Sequence, residues 1–141
     1  MPTLKALMQN PRILPMIIGV MLTAVVGYMA LPPDFIVSVE PIAARVNTEG
    51  STETKVVVEH RFFFNHYDRQ VFLAAPSAPE GIKVRFSQEM ASKVPIDSTM
   101  TIDVDPRART GYHIIEIDAI GGDGKEHICK FIINIIDNSS G

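Results

Sequence analysis

Residues 13–31 constrain the possible fold of this chain more than any other feature of the sequence. They are 19 consecutive residues without a charge. As an α-helix rising about 1.5 Å per residue, the run would be about 28 Å long, which matches the hydrocarbon core of a bilayer. We therefore predict a transmembrane helix over residues 13–31, preceded by a short segment of residues 1–12.

A cleaved signal peptide is the alternative interpretation of this run. Signal peptides have a shorter apolar core, of about 7–15 residues, and end at small residues spaced as A-x-A. The corresponding positions here hold Tyr28 and Ala30, and tyrosine is too bulky for the first of them. We therefore expect the helix to be retained as a membrane anchor.

The distribution of charge predicts the orientation of this anchor. Lys5 and Arg12 precede the run, whereas all 16 acidic residues of the chain follow it. The positive-inside rule then leaves the N-terminus in the cytoplasm and the acidic remainder outside the cell membrane. We accordingly predict a single-pass membrane protein. The net charge of −3 and the absence of any Lys/Arg cluster give no indication of nucleic-acid binding.

Three small residues of the predicted helix are spaced four apart and so share one helix face: Gly19, Thr23 and Gly27. Small residues at this spacing let another transmembrane helix approach closely. This pattern predicts contact with other membrane protein subunits. The alternative is that glycine is simply common in membrane helices.

Residues 34–137 show alternating apolar and polar positions interrupted by turn signals, which is typical of β-strands. In the clearest case Ile115, Ile117 and Ala119 share one face of a strand and Glu116 and Asp118 the other. Seven short strands predict an all-β fold, an antiparallel β-sandwich of immunoglobulin (Ig) type, followed by a loose tail of residues 138–141. We place the strands at residues 35–40 (with a continuation near 43–46), 52–60, 70–75, 82–86, 98–104, 112–119 and 126–136.

The order of several short motifs resembles bacterial and archaeal Ig-like modules that are appended to secreted and surface proteins. The resemblance covers about residues 34–136 and implies that the matching residues are structural, without a shared catalytic site. The motifs are Ser38-Val39-Glu40-Pro41, Gly50-Ser51, Pro79-Glu80-Gly81, Ser98-Thr99-Met100-Thr101-Ile102 and Gly121-Gly122.

One position departs from this resemblance. The tyrosine expected near the start of the sixth strand falls on His113, while Tyr112 lies one residue earlier. In Ig-like domains this tyrosine bonds back to the backbone at a corner of the sandwich. We expect a β-bulge to bring Tyr112 to the corner, the alternative being that His113 replaces it.

Enzyme motifs are missing from the sequence. It contains no G-x-S-x-G, no H-E-x-x-H and no phosphate-binding glycine loop. Its one cysteine, Cys129, excludes an internal disulfide and a cysteine-based zinc site. We predict a non-catalytic protein without catalytic residues, cofactor or evident small-molecule substrate.

Three histidines are weak candidates for metal ligands. His60 ends the second strand, His66 lies in the connection that follows it, and His127 follows the last turn. These two connections share one end of an Ig sandwich, and imidazole binds copper or zinc. Loop histidines without a metal are the simpler interpretation, and we expect no bound metal.

The segment Phe62-Phe63-Phe64 is the strongest candidate for a partner-binding site. Three consecutive side chains of an extended segment cannot all face one core, so at least one ring should be exposed. Exposed aromatic rings mark interfaces, although a local apolar cluster is the alternative. The first strand begins at the same end of the sandwich, so these rings should lie near the membrane surface.

These features together predict a function. We expect an accessory or assembly subunit of a larger membrane protein complex that docks through its helix and its juxtamembrane loops. A protein-binding module of the envelope, S-layer or motility apparatus is the first alternative. A membrane-tethered copper- or zinc-binding protein is the second.

Overall fold

The computed structural model describes residues 31–137, and nine β-strands lie in that range. No helix within these residues is long and apolar enough to cross a membrane. The predicted membrane helix, apart from its last residue, and the predicted tail lie outside the described residues. The strands are β1 (Phe35–Glu40), β2 (Ala43–Asn47), β3 (Ser51–His60), β4 (Val71–Ala74), β5 (Ile82–Phe86), β6 (Met90–Ala91), β7 (Ile96–Val104), β8 (Gly111–Gly121) and β9 (Glu126–Ile136).

The strands form two sheets, as the sequence predicted. The four-stranded sheet has the order β1-β3-β7-β5, and the five-stranded sheet has the order β2-β9-β8-β4-β6. The first order matches the A-B-E-D sheet of an Ig sandwich, and the central strands of the second match its C, F and G strands. The all-β sandwich is therefore confirmed for the described residues.

The prediction of seven strands, all antiparallel, is wrong in two places. The expected continuation of the first strand is a separate strand, β2, which joins the other sheet and pairs in parallel with β9. The crossing occurs at Pro41, which has no N–H to donate to a ladder, and whose carbonyl accepts a hydrogen bond from the Thr54 hydroxyl at 2.6 Å. The second strand that was not predicted is β6, which has only two residues and pairs with β4.

The core lies between the sheets and is built from alternate strand positions. Ile115 and Ile117 of β8 are fully buried, and so are Phe131 and Ile133 of β9, because successive side chains of a strand point to opposite faces. Cys129 follows the same alternation and packs against the core. Burial raises the pKa of its thiol to about 11, so this cysteine stays protonated near neutral pH.

The outer faces of the two sheets differ in chemistry. The outer face of the four-stranded sheet is polar and carries ion pairs such as Lys55–Asp97 at 2.7 Å and Arg85–Asp103 at 2.9 Å. The outer face of the five-stranded sheet combines apolar side chains with the charged residues Glu116, Asp118, Glu126 and Lys130. Its exposed large apolar side chains are Phe72, Met90, Tyr112, Ile114, Ile120, Ile128 and Ile132.

The expectation that a bulge brings Tyr112 to the sandwich corner is wrong. β8 and β9 pair in register from Gly111 to Ile120 without a bulge. Tyr112 therefore points outward and is 78% exposed. His113 takes the corner position instead, and its Nε2 lies 2.7 Å from the Arg109 carbonyl oxygen, four residues upstream.

Candidate functional site

Residues 61–66, which we call the aromatic loop, form a tight turn after β3. The Asn65 N–H donates to the Phe62 carbonyl at 3.3 Å. Phe62 and Phe64 are half-buried and stack with their centroids 5.6 Å apart, while the Arg61 guanidinium lies 5.6 Å from the centre of the Phe62 ring. Phe63 is 82% exposed. The prediction that at least one of the three rings is exposed is confirmed, and that ring is Phe63.

The C-terminal side of the aromatic loop is fixed by Tyr67, which is only 1% exposed. Its backbone N–H donates to His60 Nδ1 at 2.9 Å, so the two ends of the loop are joined. Its hydroxyl donates to Asp123 Oδ1 at 2.5 Å, across 56 residues of sequence. A Cβ at position 121 would collide with this hydroxyl, which explains the glycine there. Burial, and then the bond to Asp123, raise the pKa of Tyr67 to about 12.

Four residues hold the start of β1 against this end of the sandwich, and we call them the entry clasp: Asp34, Arg61, Lys125 and His127. His127 Nε2 lies 2.7 Å from Asp34 Oδ1, and Arg61 approaches Asp34 Oδ2 at 3.3 Å. The Lys125 ammonium donates to the Pro33 carbonyl, and the Arg61 backbone N–H donates to the Asp34 carbonyl at 3.0 Å.

The Asp34 carboxyl group is the electrostatic centre of the entry clasp. Burial would raise its pKa, but hydrogen bonds from His127 and from the backbone N–H of Phe35 outweigh that effect, and the pKa lies below its ordinary value of 3.8. The carboxylate is therefore charged at neutral pH. The His127 ring also meets Phe35 edge-on, with centroids 4.8 Å apart, which ties the clasp to the core.

The structure brings together the segments that the Ig topology predicted at one end: the aromatic loop, the turn between β8 and β9, and the start of β1. The Gly122 N–H donates to the Gln70 carbonyl at 2.8 Å, which joins the β8–β9 turn to the segment between the aromatic loop and β4. Phe35 packs on both sides, against Tyr67 and His127, with ring centroids 4.9 and 4.8 Å apart. The predicted helix-contact residues Gly19, Thr23 and Gly27 lie outside the described residues.

The three candidate metal ligands lie at this end but serve other contacts. His60 and His66 stack face to face at 4.4 Å with an interplanar angle of 13°, and His60 Nδ1 accepts the Tyr67 N–H. His127 is bonded to Asp34. Among residues 31–137, no group of three or more His, Cys, Asp or Glu side chains is placed to hold a metal ion.

Sequence reasoning missed the entry clasp and the partner of Tyr67. Asp34 and His127 are 93 residues apart, and no spacing rule connects them. The Ig topology could have indicated this contact. Asp34 directly precedes β1 and His127 lies at the start of β9, and both strand starts were expected at the same end of the sandwich.

Comparison with known proteins places the fold among surface-protein domains. No protein-family model and no curated protein matches the chain. The BIgI domain of the beta protein from S. agalactiae, solved bound to CEACAM1, is 13% identical with a TM-score of 0.51 over 74% of this chain and 99% of that one. Domains 4–9 of the S-layer protein SbsC are 18% identical with a TM-score of 0.50 over 75% and 15%.

A fragment with domains 4 and 5 of the same S-layer protein is 18% identical, with a TM-score of 0.49 over 74% of this chain. Our chain spans about half, 53%, of that fragment. The chain shares the β-sandwich fold of surface-protein domains. At these identities the likeness concerns the fold alone.

Proposed function

We propose that this chain is a non-catalytic, membrane-anchored accessory subunit of a larger membrane protein complex, and that it binds a partner subunit through the aromatic loop. The observation that carries the proposal is the 82% exposure of Phe63 on a loop fixed at both ends. Aromatic residues, phenylalanine included, are enriched in the cores of protein interfaces, where a few buried residues supply most of the affinity.

The fixed geometry of the aromatic loop supports this proposal. The loop begins with Arg61, whose N–H is bonded to Asp34, and is followed directly by Tyr67, which is bonded to His60 and Asp123. A preorganised loop loses little conformational entropy on binding, and that loss is one of the main terms opposing association. Phe63 also contacts the Phe64 ring edge-on at 5.3 Å, which restricts its orientation before a partner arrives.

The position of the loop along the chain also supports docking beside a membrane. Only Pro32 and Pro33 separate the predicted helix from Asp34, and the entry clasp holds Pro33 and Asp34 next to the aromatic loop. If residues 13–31 cross the membrane, Phe63 is within reach of the juxtamembrane surface of a neighbouring subunit. The small-residue face of Gly19, Thr23 and Gly27 supplies a second contact, between helices.

The test is extraction of the full-length protein from its own membrane in mild detergent, followed by separation of native complexes by mass. We expect a large assembly. Phe63→Ser should weaken retention about tenfold or more, within the range of interface hot spots. The matched control is Ile36→Ser, which removes an apolar side chain that is 44% exposed on the four-stranded sheet. Gly19→Leu should weaken retention independently. If a large assembly forms and Phe63→Ser does not weaken retention of the chain in it, docking through the loop is refuted.

A protein-binding module of the envelope or S-layer is the second candidate, supported by the fold shared with S-layer and streptococcal surface domains. Two measurements separate the candidates. The intact mass of the mature protein should include residues 1–31 if the chain is an anchored subunit, whereas a mature N-terminus near Leu31 favours a secreted module. A lone monomer in the detergent extract, with retention in the envelope fraction, also favours the second candidate.

A further inference from the structure

The aromatic loop is closed by the side chain of His60, the last residue of β3. Its Nδ1 accepts the Tyr67 backbone N–H at 2.9 Å, across seven residues of sequence. An imidazole nitrogen accepts a hydrogen bond only through an unprotonated lone pair. Because the donor is a backbone N–H, His60 is neutral in this arrangement and carries its one ring hydrogen on Nε2.

His66 packs on the same uncharged ring. It stacks on His60 with ring centroids 4.4 Å apart and an interplanar angle of 13°, and it directly precedes Tyr67 in the chain. Two charged imidazolium rings at this distance would repel each other. The bond to Tyr67 therefore needs a neutral His60, and the stack cannot hold two charged rings without repulsion.

A proton added to His60 has only one place to bind. Nε2 already carries a hydrogen, so the proton binds Nδ1, and the ring N–H then faces the Tyr67 N–H. Both groups are donors, so no hydrogen bond remains between them. Tyr67 is only 1% exposed, and water reaches its N–H only if the loop moves away from the end of the strand.

The charges around His60 offer no partner for that proton. No carboxylate within residues 31–137 forms an ion pair with His60 or His66. The charged or titratable groups of the neighbouring elements are Asp34 before β1, Glu59 and Arg61 beside His60 in the chain, His66 and Asp68 around the end of the loop, Lys93 before β7, Asp123 in the β8–β9 turn and His127 in β9.

Two of these carboxylates are engaged in other contacts. Asp34 belongs to the entry clasp, and Asp123 accepts the Tyr67 hydroxyl. A proton on His127 strengthens its contact with Asp34, since the pair then carries opposite charges. Acidification thus holds the entry clasp closed while it breaks the bond at His60, and the aromatic loop is the part that moves.

We propose that His60 is a positioning residue of the aromatic loop and that its protonation opens the loop, so that docking through Phe63 weakens as the pH falls. Histidine takes up its proton between about pH 8 and pH 5, and the closed loop holds the neutral form. The loop is therefore closed at the upper end of this range and open at the lower end. A released Phe63 must be ordered again on binding, which lowers affinity. Only the effect on docking rests on the proposed function.

The experiment is an NMR titration of the full-length, isotope-labelled chain in detergent from about pH 8 to about pH 5. At the upper end, the ring nitrogens of His60 should show the tautomer with hydrogen on Nε2. As His60 takes up its proton, the Tyr67 amide proton should move upfield with the same midpoint as the His60 ring signals. Protection of that amide against hydrogen exchange, corrected for the intrinsic effect of pH on exchange, should fall about tenfold or more.

Two substitutions of His60 separate its acceptor role from its titration. In His60→Asn the side-chain carbonyl oxygen takes the place of Nδ1, accepts a hydrogen bond and does not titrate, so the Tyr67 amide should stay protected across the whole titration. His60→Ala removes the acceptor and should leave this amide unprotected throughout. The matched control is His113→Asn at the other end of β8, where the histidine contacts the Arg109 carbonyl; its Tyr67 profile should equal that of the wild type.

Retention in the large assembly is the second readout. At about pH 5.5 the wild type should be retained about tenfold less than at about pH 7.5, whereas His60→Asn should be retained equally at both. The proposal is overturned if the Tyr67 amide does not respond to protonation of His60, if His60→Asn keeps the wild-type pH profile, or if retention falls equally in both proteins. Failure of the proposed function looks different, because retention at neutral pH would then not respond to Phe63→Ser while the Tyr67 amide of the purified chain would still respond to pH.

Discussion

Removal of the Tyr67 hydroxyl is the sharpest test of how the end of the sandwich that carries the aromatic loop is held together. Tyr67→Phe keeps the ring that packs on Phe35 at 4.9 Å and deletes only the donor to Asp123. The substitution removes one oxygen atom and keeps the whole ring. Its effect on the free energy of unfolding therefore reports mainly the hydrogen bond that joins Tyr67, directly after the aromatic loop, to the turn between β8 and β9.

The expected loss is about 1.5 kcal/mol. Hydrogen bonds to charged groups contribute about 1.5–3 kcal/mol, and the lower end applies because Asp123 is exposed and water can replace the lost donor. For a domain of this size, such a loss lowers the melting temperature by about 6–10 °C. The matched control is Tyr112→Phe, which removes the hydroxyl of a tyrosine that is 78% exposed and should change stability by less than about 0.5 kcal/mol.

The cost of Tyr67→Phe should also depend on pH. The bond from Tyr67 holds the pKa of Asp123 below 3.8, so this stabilisation is present above about pH 4 and disappears as the pH falls through the lowered pKa. Burial raises the pKa of Tyr67 to about 12, so its contribution is complete below about pH 10, the ordinary value, and is lost as the pH rises towards 12.

The measurement is urea unfolding of residues 33–141 for the wild type and both variants at pH 3, 7 and 11. The free energy of unfolding of the wild type should exceed that of Tyr67→Phe by the full expected loss at pH 7, and by a smaller difference at pH 3 and pH 11. A difference that is the same at all three pH values, or an equal loss in Tyr112→Phe, would refute the assignment of this hydrogen bond.

Three further predictions concern the core, the entry clasp and metal binding. Ile133→Ala should lower the free energy of unfolding by about 2–5 kcal/mol, as fully buried large-to-small changes do, and Ile132→Ala should lower it much less. The reverse order in denaturant melts would mean that the β9 register is shifted by one residue. Asp34→Asn should lower the free energy of unfolding by about 1–2 kcal/mol at pH 7. Because the pKa of Asp34 is lowered in the folded protein, its contribution to stability is present above pH 3.8 and is lost below the folded pKa, so the variant should lose less stability below pH 4 than the wild type. Acid titration followed by circular dichroism tests this, and an unfolding curve below pH 4 that is the same in both proteins would contradict it. Equilibrium dialysis of residues 33–141 against Cu²⁺ and Zn²⁺ should show no tight stoichiometric site, whereas submicromolar binding that is lost in His60→Ala would support the metal-carrier hypothesis.

Sequence reasoning was most successful where one face of a strand is buried. Alternation located β8 and β9 within two residues of their observed ends and assigned Ile117 and Ile133 to the core. It did not predict β6, because the two residues Met90–Ala91 are too few to show an alternation of apolar and polar positions. It could not show that β2 leaves the first sheet, since alternation identifies a strand but not its neighbour.

The candidate site was predictable in place but not in its contacts. The Ig topology brought the aromatic loop and the start of β1 to one end, and the chemistry of three adjacent rings required an exposed one. Which ring is exposed depends on the turn closed by Asn65 and Phe62, and the clasp around Asp34 depends on pairing across 93 residues. Neither contact has a local signature in the sequence.

The parallel pairing of β2 with β9 has a mechanical consequence. Five residue pairs, from Ala43–Ile132 to Asn47–Ile136, join a strand near the start of the domain to the strand that ends it. Tension applied between a membrane anchor at the N-terminus and an attachment at the C-terminus pulls these two strands in opposite directions along their length. The inter-strand hydrogen bonds are then loaded in shear and must break together, whereas a peeling geometry would break them one at a time. The domain should therefore withstand a pull along its long axis better than a pull that opens the sheet from one edge.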